Sequence, residues 1–314
     1  MRGGKEAEAP STGPARPRIG IVGTGMLGSA VAVRLAESGA YAVSAYNRTA
    51  QNAGAAGAAG ARVLRSPAAV ARESDVVITI VKDADAVRNV SFGPGGIVEG
   101  RHGGLTVADM STIDPAGSKE ITAEYARYGI GRVDSPVMGG PDAAAAGRLV
   151  VMASGSRVAF DACSRVFDYM AESVFYLGDK PGTAHTIKLA MNMQITMLAL
   201  SLAEGITLVD RSGADPKTFL DVLNSTYFST GMSRKKAYNM ISGRQDPTFT
   251  LANLRKDIGI MTSAAGLLGA DLPMTKAAEK VYDEALREGH GELDYTCIIK
   301  HIRERRDRGQ EQEQ

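Results

Sequence analysis

Short apolar runs rich in β-branched residues punctuate the first 178 positions: RIGIVG (18–23), YAVSAYN (41–47), DVVITIV (75–81), LTVADM (105–110), GRVDSPV (131–137), LVVMAS (149–154) and SVFYLG (173–178). Most are separated by longer stretches rich in Ala, Glu and Arg. Strands alternating with helices predict βαβ units and a mainly parallel sheet, an α/β Rossmann-type arrangement. Gly147 and Arg148 stand between two strand runs with no room for a helix, so they are expected to turn a hairpin and bring antiparallel pairing to the sheet edge.

Beyond Pro181 the pattern changes. Ala-, Leu- and Met-rich sequence with helical spacing is broken at GADP, GRQDP, GADLP and GHGE, where Gly and Pro end one helix and Asp can cap the next. The division predicted is a cofactor-binding α/β domain over 17–180 and an all-α domain over 181–302 for substrate and oligomer contacts. The first helix of the second domain runs from about Gly182 to Ser212, long enough to bridge the two. Residues 1–16 lack an apolar core for a signal and read as a disordered tail, and 303–314 as a charged, solvated tail.

At 314 residues and 44% hydrophobic content the chain can bury a large core. A formal net charge of +1 offers no global attraction for nucleic acid or anionic membrane. The longest apolar run, Met193 to Val209, is interrupted by Glu204, so no membrane span is expected. Two cysteines, Cys163 and Cys297, and four histidines in no ligand spacing predict neither a disulfide framework nor a metal site. A cytoplasmic protein is expected.

Gly23-Thr24-Gly25-Met26-Leu27-Gly28 closes the first strand and opens a helix, the context in which G-x-G-x-x-G means dinucleotide binding. Gly23 permits the turn, Gly25 the approach of the pyrophosphate and Gly28 close helix packing, with Met26 and Leu27 at the helix start. At the end of the second strand, Asn47-Arg48-Thr49 replaces the carboxylate of an NAD-preferring site. These residues can donate to, and Arg48 can neutralise, a 2′-phosphate, which favours NADP(H) over NAD(H). Val81 and Lys82, at the end of the 75–81 strand, are expected to line the same cofactor crevice.

Four further stretches complete the candidate site. Asp109-Met110-Ser111-Thr112-Ile113-Asp114-Pro115 and Asp134-Ser135-Pro136-Val137-Met138-Gly139-Gly140 sit at strand ends, where ligands of parallel sheets bind. Lys188 and Asn192 are i and i+4 on the long helix and share a face. Lys256-Asp257 lies on a later helix. In these motifs the chain resembles the β-hydroxyacid dehydrogenases, which include 3-hydroxyisobutyrate dehydrogenase, tartronate semialdehyde reductase and the glyoxylate/succinic semialdehyde reductases, from about Arg18 to Arg303. The resemblance implies hydride transfer between NADP(H) and a short hydroxyacid or semialdehyde. It places Ser111 and Thr112 at substrate and nicotinamide, and the substrate carboxylate on the backbone of Met138, Gly139 and Gly140. It also implies Lys188 as catalytic lysine, Asn192 as orienting asparagine, Lys256 as a cation near substrate and cofactor, and homodimers or homotetramers. A lysine suits the chemistry because moving a hydride to carbon requires a proton at the substrate oxygen.

Two positions depart from that pattern. Met138 replaces the serine before Gly-Gly, and Met191 stands where 3-hydroxyisobutyrate dehydrogenases have a second asparagine; each is either substrate-shaping or plain core packing. KLAMNM followed by LAEGI is similar to the glyoxylate/succinic semialdehyde reductases. Asn224 to Ser233 is either a substrate-facing wall or a surface connector. The competing readings are an NADPH-dependent imine reductase, against which Lys188 counts, and a non-catalytic NADP-binding scaffold.

Overall fold

A computed structural model describes residues 16–311; residues 1–15 and 312–314, which hold most of the expected N-terminal tail and the end of the C-terminal one, lie outside them. Nine strands are described: β1 (Arg18–Val22), β2 (Ala42–Tyr46), β3 (Arg62–Val63), β4 (Val76–Thr79), β5 (Thr106–Asp109), β6 (Gly131–Asp134), β7 (Val137–Met138), β8 (Leu149–Gly155) and β9 (Ala171–Tyr176). They form one sheet in the order β3-β2-β1-β4-β5-β6-β8-β7, with β9 beside β8. The first six are parallel neighbours, and β8 runs antiparallel to both β6 and β7. The order reverses between β1 and β4, which opens a crevice at the carboxyl ends of the strands.

Period-2 alternation explains the layering. Ile19, Ile21 and Ile78 pack on one face with Val31 and Leu35 of helix Met26–Glu37 and Phe167 and Met170 of helix Arg157–Met170. Val22, Val77 and Val107 pack on the other, against Ile121 and Tyr125 of helix Pro115–Arg127. β3 was not foreseen, because two exposed residues carry no alternation to read. The 131–137 run divides at Ser135-Pro136, where proline cannot donate to the ladder.

The hairpin expected at Gly147-Arg148 requires correction. β7 and β8 do pair antiparallel, Val137 with Val151 and Met138 with Val150, but a helix, Pro141–Ala145, fits between them. Proline at its first position presets the helical φ and leaves no N–H to satisfy.

From Thr183 the chain is helical. Helix Thr183–Arg211 has 29 residues, and the expected breaks all fall between helices. By length and composition alone this helix could cross a membrane, unlike the reading that Glu204 interrupts it. Its surroundings are instead those of a core helix: Leu189, Ala199, Leu202 and Ile206 are buried with Leu254 and Ile258 of helix Leu251–Leu267, Tyr282 of helix Pro273–Arg287, and Ile298. Helix Ile298–Glu311 continues into the charged C-terminal stretch, where Glu304 and Arg305 are exposed. Buried Ile298 and Ile299 anchor its start, and Arg303 pairs with Asp210 at 3.3 Å.

Candidate active site

The glycine loop has the geometry each glycine was expected to serve. Gly23 lies at φ +102°, and a Cβ there would stand 2.2 Å from the Ile80 carbonyl oxygen; one on Gly28 would stand 1.9 Å from that of Gly23. Gly25 differs: a Cβ there would meet nothing within 4 Å. It is exposed and caps helix Met26–Glu37, which has no side-chain cap and no acid in its first turn. Unfilled space over uncapped N–H groups at a positive helix end fits a diphosphate. Met26 is exposed at that end and Leu27 half-buried.

At the end of β2, Asn47 is used differently from expectation. Its Oδ1 accepts from the Thr24 N–H at 3.1 Å and its Nδ2 donates to the Thr49 carbonyl at 2.9 Å. Asn47 therefore holds the glycine loop against the β2 turn, and Arg48 and Thr49 beside it are exposed.

At the centre of the crevice, Asp109 ends β5 and accepts from Thr79 Oγ1 at 2.8 Å, the Ser111 N–H at 3.0 Å and Arg132 Nη2 at 2.6 Å. Ser111 Oγ in turn accepts from the Val81 N–H at 3.0 Å, so the loops carrying Val81, Lys82, Ser111 and Thr112 are fixed together. Asp134, ending β6, accepts from Arg132, from Ser118 Oγ at 2.6 Å and from the Gly182 N–H at 2.6 Å. Burial alone would raise the Asp134 carboxyl. The Arg132 guanidinium, the neighbouring His185 and the Ser118 hydroxyl outweigh it and hold the group well below the ordinary carboxylate range. This wholly buried network, which sequence reading missed, ties the sheet to Gly182, the residue that caps the long helix. An arginine inside the apolar run GRVDSPV was its visible signal, since a buried guanidinium demands carboxylates.

Six residues past Gly182, Lys188 reaches the end of β7. Its Nζ lies 3.2 Å from Met138 Sδ, its hydrogen-bonding partner among the described residues. Removal from water, with a smaller push from Lys256 and against the pull of Asp257, lowers this ammonium to about 8. Asn192 is buried and donates through Nδ2 to Asp257 Oδ2 at 2.6 Å; its Oδ1 has no partner. Lys256 sits 2.8 Å from Asp257 Oδ1 and donates to the carbonyls of Lys82 at 2.8 Å and Thr112 at 3.3 Å. The structure thus brings Lys188, Asn192, Lys256 and Met138 together with the loops of Lys82 and Thr112, and adds Asp257 as the carboxylate joining two of them. Lys256 acts as a tie from the helical half to two strand-end loops.

Gly139 and Gly140 follow Met138 and are exposed. The two methionines separate: Met138 touches the lysine, whereas Met191 is 40% exposed on the helix surface. Within residues 224–233, Tyr227 is 89% exposed with its ring 4.2 Å from that of Phe228, whereas Ser233, in the helix Gly231–Lys235, is buried.

Comparison with known proteins agrees with this geometry. Residues 18–178 match the family model described as the NAD binding domain of 6-phosphogluconate dehydrogenase, and residues 182–302 the one described as NAD-binding of NADP-dependent 3-hydroxyisobutyrate dehydrogenase. The chain is 29% identical over 288 residues to the uncharacterised oxidoreductase YfjR of Bacillus subtilis, covering 91% of this chain and 100% of that one. It is 30% identical over 287 residues to the cytokine-like nuclear factor N-PAC of Danio rerio, covering 91% of this chain but only 62% of that protein. Against the human N-PAC the share is 52%. A solved structure of 3-hydroxyisobutyrate dehydrogenase from Salmonella typhimurium superposes with a TM-score of 0.83 at 28% identity, covering 90% of this chain and 99% of that one. With an NAD(P)-binding domain and a helical domain of this type in sequence, the chain belongs to the β-hydroxyacid dehydrogenase family.

Proposed function

We propose that the chain transfers a hydride between NADP(H) and a short β- or γ-hydroxyacid, or the matching semialdehyde, with Lys188 as general acid in reduction and general base in oxidation. The observation that carries this reading is the state of Lys188: an ammonium drawn out of water, held on a thioether and brought to about 8. Near neutrality such a group both gives and accepts a proton readily.

The residues fit a nicotinamide dinucleotide. The N–H groups around Gly25 would hold the diphosphate and the loops of Val81, Lys82 and Thr112 the nicotinamide end. Exposed Arg48, with no ion pair among the described residues, and Thr49 favour NADP(H), with NAD(H) second. When bound, the nicotinamide supplies or accepts the hydride. The backbone N–H groups of Gly139 and Gly140 hold the substrate carboxylate, and Ser111 lies beside it. Lys188 donates a proton to the substrate oxygen as the carbonyl is reduced, and solvent restores it; in oxidation the neutral amine takes the hydroxyl proton. Asn192, fixed through Asp257, keeps the lysine face of the helix in register with the crevice.

The test follows NADPH absorbance with glyoxylate, succinic semialdehyde and methylmalonate semialdehyde, with NADH in parallel. Turnover of one acid with NADPH supports the reading. NADPH binding without any reduction overturns it, and an amine product from an imine would favour imine reduction instead. Arg48→Ala is expected to weaken NADPH about 10- to 100-fold while leaving NADH unchanged, the value of one charge-assisted contact. We also propose a homodimer or homotetramer formed through the helical half: ten of the fifteen exposed large apolar side chains among the described residues lie there. Light scattering that returns a 33.0 kDa monomer would overturn it.

A further inference from the structure

Met138 is the last side chain of β7 before the glycines, and its position is fixed from both sides. It pairs with Val150, and the next residue, Gly139, turns at φ +117°, where a Cβ would stand 2.9 Å from both the Leu149 and Ala143 side chains. The half-buried thioether that results stands 3.2 Å from Lys188 Nζ. A substrate oxygen that takes a proton from Lys188 must come within about 3 Å of the same nitrogen, so it lies within roughly 6 Å of the sulfur. In a β-hydroxyacid the carbon neighbouring the reacting carbon bears the carboxylate, and a carboxylate seated on the backbone N–H groups of Gly139 and Gly140, the two residues that follow Met138, turns that carbon toward the methionine side chain.

A thioether accepts hydrogen bonds weakly and donates none. A hydroxyl or ammonium on that neighbouring carbon would leave water to face sulfur and a methyl group, whereas a hydrogen or a methyl would lose nothing. The sulfur also holds the lysine ammonium loosely, so a substrate oxygen displaces it without breaking a strong pair. Resting on the hydride-transfer reading, we propose that Met138 sets the substrate class: short acids whose carbon beside the reacting centre carries hydrogen or alkyl, in preference to those carrying hydroxyl or ammonium there.

The test compares three acids that differ only at that carbon, 3-hydroxypropanoate, 3-hydroxyisobutyrate and glycerate, by kcat/KM with NADP+ and by calorimetric titration. Wild type is expected to favour the first two over glycerate by about 100-fold, the discrimination an apolar pocket achieves against an added hydroxyl. Met138→Ser is expected to lower that ratio at least about tenfold, and Met138→Leu to retain it. Wild-type preference for glycerate, or a ratio that Met138→Ser does not move, overturns the proposal. If no acid turns over, the hydride-transfer reading falls, while the titrated affinity ratio still decides the role of Met138; failure of all three to bind overturns both.

Discussion

Two buried groups of charge, joined through the first turns of one helix, differ in how completely their partners are supplied. Around Arg132 the carboxylates of Asp109 and Asp134 are paired, and hydroxyls and backbone N–H groups take up the remaining acceptor sites. Around Lys188 the ammonium has a sulfur, Asn192 Oδ1 has no partner, and the Asp257 carboxylate is shared with Asn192 and Lys256. With both carboxylates saturated, and Nε the one guanidinium nitrogen of Arg132 without a partner, the first group is a joint. Undersaturation leaves the second with donors and acceptors to spend on a ligand, at a cost to stability that a structural role would not repay.

Arg132→Met breaks the comparison on its saturated side. Two carboxylates would be left buried without their cation, and loss of one member of such a group costs about 3–5 kcal/mol. Urea denaturation should register that loss, and also a loss of the Gly182 contact that seats the long helix. A loss below about 1 kcal/mol would mean that water or local rearrangement replaces the guanidinium, and the joint would not be one.

Lys188→Ala breaks it on the other side. We expect kcat to fall about 100- to 10,000-fold while the fold and NADPH binding persist, because the lost group serves the proton and not the architecture. In wild type the oxidation rate should rise with pH through about 8, as the amine form appears, and the reduction rate should fall over the same interval. A profile that stays flat there, or a variant that loses less than tenfold, would move the proton to another group.

The contrast also explains what could be read in advance. The glycine motif, the strand-end loops and the i, i+4 pair were legible because each is a local pattern whose geometry follows from one element. The Arg132 network was not read, since Asp109, Arg132, Asp134 and Gly182 meet only after strand order and helix docking are set. The helix at 141–145 and the strand at 62–63 are each too short for periodicity to show. Asn47 had the right chemistry for a phosphate, but the neighbouring turn uses that chemistry itself.

The cofactor loop sharpens the same distinction between filled and open positions within three glycines. Gly28→Ala would press a methyl into the Gly23 carbonyl and is expected to destabilise the fold. Gly25→Ala meets open space, so stability should hold while NADPH affinity drops about tenfold or more, equivalent to about 1.4 kcal/mol. Equal effects of the two on thermal unfolding would show that Gly25 is structural after all.

The smallest effect expected is also the most direct comparison, because the same replacement is predicted to act with opposite sign at the two sites. Where Arg132→Met destabilises, Lys188→Met should stabilise near neutral pH, by about 1 kcal/mol or less because the partly buried ammonium keeps some of its solvation. The sign follows from proton binding. Folding lowers this lysine from its usual 10.5 to about 8, so between those values the unfolded chain holds more protons and wild-type stability rises with pH. The penalty of carrying the ammonium is complete below about 8 and fades toward 10.5. Urea denaturation of wild type and Lys188→Met near pH 7 and again near pH 10 should therefore show the variant's advantage shrinking. An advantage that is absent, or unchanged between the two, would mean that Lys188 is as well satisfied in its site as Arg132 is in its own.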